Sequence, residues 1–101
     1  MGTVKDVERI KRLITARLQT VIDPETGADV IRMRLVEEIR VNAKGEVSYI
    51  FRPSSPTCPI AAYLVQQMKQ AVSYVPGVST QKITVLDYVA AEELTKLINE
   101  D

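Results

Sequence analysis

The chain has 101 residues, 46% of them hydrophobic and 26% charged, and its 13 basic and 13 acidic side chains cancel. That length holds one domain, residues 1–101, with a single modest core, and the neutral balance offers no field to recruit nucleic acid or an anionic membrane. One cysteine and no histidine exclude an internal disulfide, a CxxC metal knuckle, imidazole metal sites, and Ser-His-Asp or Cys-His catalysis. No apolar run approaches the roughly 20 residues that span a bilayer. With no disulfide framework and no apolar N-terminal signal segment, a reducing cytoplasm is the expected compartment.

From Thr3 to about Val21 the sequence predicts a helix. Val4, Val7, Ile10, Ile14, Leu18 and Val21 recur at three- and four-residue spacing with Lys and Arg between them. Thr3 is placed to cap it, with Asp6 completing a capping-box-like pair. Asp23-Pro24-Glu25-Thr26-Gly27 then breaks the helix, because proline lacks the donor a helix needs. Asp23 and Glu25 are candidates for acid–base or metal work. The competing and favoured reading is a turn aspartate that caps nearby backbone N–H groups.

Ala28 to Leu35 reads as an irregular turn or a short helical piece. Val36 to Asn42 is a predicted strand with Ile39 and Val41 on one face and Glu38 and Arg40 on the other. Ala43-Lys44-Gly45-Glu46 supplies a hairpin loop. Val47, Tyr49 and Phe51 point inward along the return strand, which should stop at Arg52-Pro53 because proline cannot donate to a ladder.

Ser54-Ser55-Pro56-Thr57-Cys58-Pro59 follows, then a predicted amphipathic helix from Ile60 to about Tyr74 with an apolar face that includes Leu64, Val65, Met68 and Val72. Proline suits a first helical position, which puts Pro59 in the first turn and Cys58 at or beside the N-cap. There the sulfur would face free N–H groups and the positive end of the helix dipole, a setting that favours thiolate. A lone cysteine is usually a small buried hydrophobe, so the residues alone leave a functional and a packing role open. The hydroxyls of Ser54, Ser55 and Thr57 either donate to a thiolate or to bound sulfide, or cap the helix. Arg52 and Arg34 are basic residues that could add charge near the loop. Ser55 lacks any general base, and no catalytic constellation is found.

Pro76-Gly77 ends the second helix, Gln81 to Tyr88 is a third predicted strand, and Ala90 to Ile98 a final helix packing through Leu94, Leu97 and Ile98. The order α-β-β-α-β-α describes a two-layer α+β fold, a small mixed sheet packed by helices.

Three stretches together resemble the PaaD/SufT-type family of metal–sulfur cluster assembly domains, which includes the eukaryotic cytosolic iron–sulfur targeting component. They are Asp23-Pro24-Glu25 running on to Leu35-Val36, the Ser54–Pro59 loop entering a helix, and Pro76-Gly77-Val78 leading to Ile83-Thr84-Val85. The resemblance implies an iron–sulfur cluster assembly fold and an accessory role in assembling clusters or delivering them to client apoproteins. It places the family's aspartate on Asp23, its acidic residue on Glu25, its hydroxyls on Ser54 and Ser55, and its cysteine on Cys58. Two departures stand out: Arg34 lies where the family usually has glycine, which implies altered backbone geometry or an added charge, and the tail lacks a tryptophan-containing ending.

A cluster ordinarily needs four ligands, and one chain offers one thiol. The expectation is therefore a transient iron–sulfur cluster or iron held through Cys58 as an exposed, labile ligand. A homodimer, a scaffold or carrier protein, or a client would complete the site, with Asp23 or Glu25 assisting. The alternatives are a metal-free protein–protein adaptor with a structural Cys58, and a thiol or persulfide handler.

Overall fold

The computed structural model describes residues 4–100. Its elements are α1 (Val4–Leu18), β1 (Val36–Val41), β2 (Glu46–Phe51), α2 (Ala61–Ser73), β3 (Thr80–Val85) and α3 (Ala91–Asn99), in the order the sequence predicts. The expected cap Thr3 lies outside the described residues.

Helix α1 stops at Leu18 rather than running on to Val21. Thr20 N–H and Val21 N–H turn back onto the Arg17 and Leu18 carbonyls at 3.0 and 3.1 Å, and the Thr20 hydroxyl also donates to Arg17 O. These are i→i+3 bonds that close a helix end, and the Val21 carbonyl is taken by Val30 N–H at 3.1 Å. Val21 nevertheless stays buried, so the apolar stripe outlasts the helix. Residues 28–35 contain one helical turn, with Met33 N–H on Asp29 O at 3.0 Å and Arg32 N–H on the Asp29 carboxylate at 2.8 Å.

Strands β1 and β2 pair antiparallel, and β3 joins β2 in parallel, giving the order β1-β2-β3. A bulge interrupts β1 between Glu37 and Arg40, where Glu38 takes φ +51°. Asn42 leaves the strand and organises the hairpin, its Oδ1 accepting from Lys44 N–H and Glu46 N–H at 2.9 and 3.0 Å.

Val47, Tyr49 and Phe51 of β2 point into the core together with Ile83 and Val85 of β3, as strand alternation requires. Ile10, Ile14 and Leu18 of α1 and Leu64, Val65, Met68 and Val72 of α2 belong to the same buried cluster.

Two boundaries near the C-terminus differ from expectation. β3 ends at Val85 rather than Tyr88, since Asp87 adopts φ +55° and turns the chain into α3. Leu97, expected on the inner face of α3, is 65% exposed. The helix is rotated so that Thr95 and Asn99 meet the edge of β3, which leaves Leu94 and Ile98 as its buried anchors.

Candidate functional site around the Asp23 turn and the Cys58 loop

Asp23 sits between Ile22, bridged to Asp29, and a tight turn closed by Gly27 N–H on Asp23 O at 2.8 Å. Its Oδ1 accepts Glu25 N–H at 2.7 Å, the local aspartate turn that lets this residue type stabilise a chain reversal. Asp23 is only 2% exposed and is the one buried charged side chain among the described residues. Glu25 contributes its backbone to this turn, while its side chain lies at the surface.

Beyond Arg52 and the buried Pro53, the second loop folds on itself. Cys58 N–H donates to Ser55 O at 3.2 Å, Thr57 N–H donates to Ser55 Oγ at 3.3 Å, and the Ser55 and Thr57 hydroxyls lie 3.3 Å apart. Ser54 is exposed. The loop is tied from outside by Val89 N–H, which donates to Pro56 O at 2.9 Å.

Cys58 does not sit at the start of α2 as the sequence predicts. α2 begins at Ala61, with Ile60 as its cap residue and no side-chain cap. Pro59 therefore precedes the helix instead of occupying its first turn. What Cys58 offers the helix start is its carbonyl, which accepts Ala61 N–H at 3.4 Å. The residue itself is 4% exposed and packs in the hydrophobic core, so the expectation of an exposed ligand is corrected as well. A proline-bounded polar loop signals a surface segment, but the direction of one side chain within it is decided by the core beneath.

Among the described residues no three His, Cys, Asp or Glu side chains gather where they could hold a metal ion. The Asp23 turn and the Ser55–Thr57 pair are each closed internally. Neither forms a multi-ligand cage with Cys58.

Beside the loop stands an ion-pair network that the sequence does not signal. Arg52 Nε lies 2.6 Å from Glu37 Oε2, and Arg52 Nη1 pairs with the Asp87 carboxylate. The hydrogen bond to Glu37, then that to Asp87, hold the guanidinium pKa above its ordinary value. Partners 15 and 35 residues away in sequence leave no local signal. Arg34 takes φ +58°, so the chain keeps a left-handed backbone there with an exposed charged side chain instead of losing that geometry. A cleft of about 330 Å³ lies between the end of α1 and α2, lined in part by Arg17, Ile22, Tyr63 and Tyr74. Ile22, Tyr63 and Tyr74 are exposed, and the Arg17 guanidinium stands 5.8 Å from the Tyr74 ring centroid, within cation–π range.

Residues 11–85, which carry both the Asp23 turn and the Cys58 loop, match the family model described as iron–sulfur cluster assembly protein. The chain belongs to that family. It is 28% identical over 79 residues to the Fe-S protein maturation auxiliary factor YitW of Bacillus subtilis, covering 78% of each chain. It is 33% identical over 70 residues to an Fe-S protein maturation auxiliary factor of Porphyromonas gingivalis, covering 69% of this chain and 67% of that one. The crystal structure of a domain of unknown function, DUF59, from Bacillus anthracis superposes with a TM-score of 0.76 at 26% identity, over 83% of this chain and 80% of that one. The three-stranded mixed sheet with its helices is thus the fold of this family. No described helix is long and apolar enough to cross a membrane.

Proposed function

We propose that this chain is an accessory factor that helps assemble iron–sulfur clusters or deliver them to client apoproteins, with Cys58 as one ligand or contact that another chain completes. The observation that supports this reading is the family match over residues 11–85, a span that includes Asp23, Glu25, Ser54, Ser55, Thr57 and Cys58. The cluster or iron is cargo. One thiolate is fewer than the four ligands a cluster ordinarily takes, and partial ligation suits a factor that must release what it holds. Scaffold or carrier proteins and client apoproteins are the partners in this reading, with a second copy of the chain as another source of ligands, in a reducing cytoplasm. Asp23 and Glu25 then orient their loop or supply an oxygen ligand, and the exposed hydroxyls of Ser54, Ser55 and Thr57 donate to sulfide. Because Cys58 is buried, the Ser54–Pro59 loop opens before the sulfur engages.

Burial of Cys58 favours a second reading, a metal-free adaptor that docks a client through the exposed aromatic surface around Arg17, Tyr63 and Tyr74. The experiment is anaerobic reconstitution with iron and sulfide, followed by client activation, for the native chain, Cys58→Ala and Arg17→Glu. Cluster absorbance and client activation that both need Cys58 support the ligand role. Activation that survives Cys58→Ala and is lost in Arg17→Glu selects the adaptor.

A further inference from the structure

The outer edge of β3 is occupied by side chains that imitate a fourth strand. Asn99 Oδ1 accepts Ile83 N–H at 2.8 Å while Asn99 Nδ2 donates to Ile83 O at 2.8 Å, so one carboxamide serves both backbone groups of one residue. Thr95 Oγ1 accepts Val85 N–H at 2.9 Å. An uncovered strand edge is a template for pairing with another chain, and here α3 supplies the cover.

That cover is short, and besides its bonds to β3 it is held by Lys69 Nζ, which donates to Ile98 O at 2.7 Å. α3 has nine residues, no side-chain N-cap at Ala90, and only Leu94 and Ile98 buried. A helix this short has little stability of its own. It also lies beyond residue 85, where the match to the family model ends.

We propose that the β3 edge is a strand-docking surface for the β3 of a second copy, and that α3 is the displaceable strap that masks it. The groups that α3 satisfies show that Ile83 and Val85 turn their backbone outward, and by the period of two Gln81 does the same. An antiparallel two-fold centred on Ile83 pairs Ile83 with itself and Gln81 with Val85, each pair exchanging both N–H···O bonds. The same register sets Lys82 opposite Thr84 of the second copy rather than opposite another Lys82. The charges therefore do not collide, and the strand is complementary to itself. Released from α3, two chains form one continuous six-stranded sheet.

The test uses the full-length chain with Thr95→Val and Asn99→Leu, which remove the polar cover while keeping the number and branching of side-chain heavy atoms. Sedimentation velocity over a concentration series, with hydrogen exchange read at Ile83 and Val85, gives the outcome. The native chain is expected to show only a small dimer fraction that grows with concentration, and the double variant to be mainly dimeric with both amides still protected. In that background Thr84→Lys places like charge opposite Lys82 twice and should weaken the dimer about ten-fold, while Thr84→Glu should tighten it. A monomeric double variant, or a dimer indifferent to the charge at position 84, overturns the proposal. Should the double variant fail to fold, Thr95→Val alone carries the same readings with a smaller dimer fraction, and a monomer there is equally fatal.

Discussion

Gly45, at the tip of the β1–β2 hairpin, is packed against the backbone of Gly77 in the turn between α2 and β3. A methyl group at Gly45 would lie 2.0 Å from the Gly77 carbonyl oxygen, and the Gly45 carbonyl accepts Ser79 N–H at 2.8 Å. Gly45 also has φ +79°, so a side chain there is strained twice. The contact pins the hairpin that leads into β2 to the turn that leads into β3, and thereby fixes the sheet from which the Cys58 loop springs.

Gly45→Ala is expected to destabilise the fold by about 3 kcal/mol or more, since neither the backbone conformation nor the facing carbonyl can yield cheaply. Gly27→Ala is the matched control. It has φ +74° but open space around the added carbon, and it should cost only about 1 kcal/mol. Urea unfolding of both variants reads the difference.

How far the sequence reveals this molecule depends on the range of the interaction involved. Val47, Tyr49 and Phe51 were legible as the inner face of a strand because a period of two is local, and the Asp23 turn was legible because Asp-Pro-Glu carries its own hydrogen-bonding partner. The inner face of α3 was not. Leu97 fits a helical stripe as well as Leu94 does, but Thr95 and Asn99 gain more by closing the β3 edge, and the helix turns accordingly. The burial of Cys58 was hidden for the same reason, since the loop's composition describes its backbone and not the cavity that one side chain fills. For the candidate site, local turn chemistry was readable and the convergence of side chains was not.

Tyr49 is 2% exposed, with its hydroxyl 3.2 Å from Gln81 Oε1, and desolvation by burial drives its pKa well above the ordinary phenol range. The unfolded chain therefore loses this proton near pH 10 while the folded chain retains it. Stability from this group is complete below about pH 10 and falls as pH rises further, by up to about 1.4 kcal/mol per pH unit. Tyr49→Phe should lower stability at neutral pH by about 1 kcal/mol through the lost hydrogen bond, yet decline less steeply between pH 10 and 11. Equal alkaline slopes for the two proteins would contradict the burial argument.

Arg34 carries a positive φ of 58° at the entrance to Leu35 and β1, a conformation that disfavours any residue with a Cβ. Arg34→Gly removes that strain at the cost of a more flexible unfolded chain. The net expectation is a gain of about 0.5–1 kcal/mol. The same change at Arg32, whose N–H is held by the Asp29 carboxylate in a helical turn, should instead destabilise. The urea midpoint at constant slope measures both.

Asp23 combines a structural duty with its candidate role toward cargo, and two substitutions separate them. Asn keeps an oxygen able to accept Glu25 N–H while removing the negative charge, whereas Ala removes the acceptor and leaves that donor unpaired. Asp23→Asn should therefore retain most of the stability of the native chain, and Asp23→Ala should lose about 1–2 kcal/mol. If the carboxylate only shapes the turn, Asp23→Asn keeps native iron and sulfide content after anaerobic reconstitution. If it also serves as an oxygen ligand, Asp23→Asn loses cargo while its thermal unfolding stays near native, because an amide oxygen is a weaker donor to iron than a carboxylate. Thermal unfolding and metal analysis of the same preparations distinguish the two outcomes.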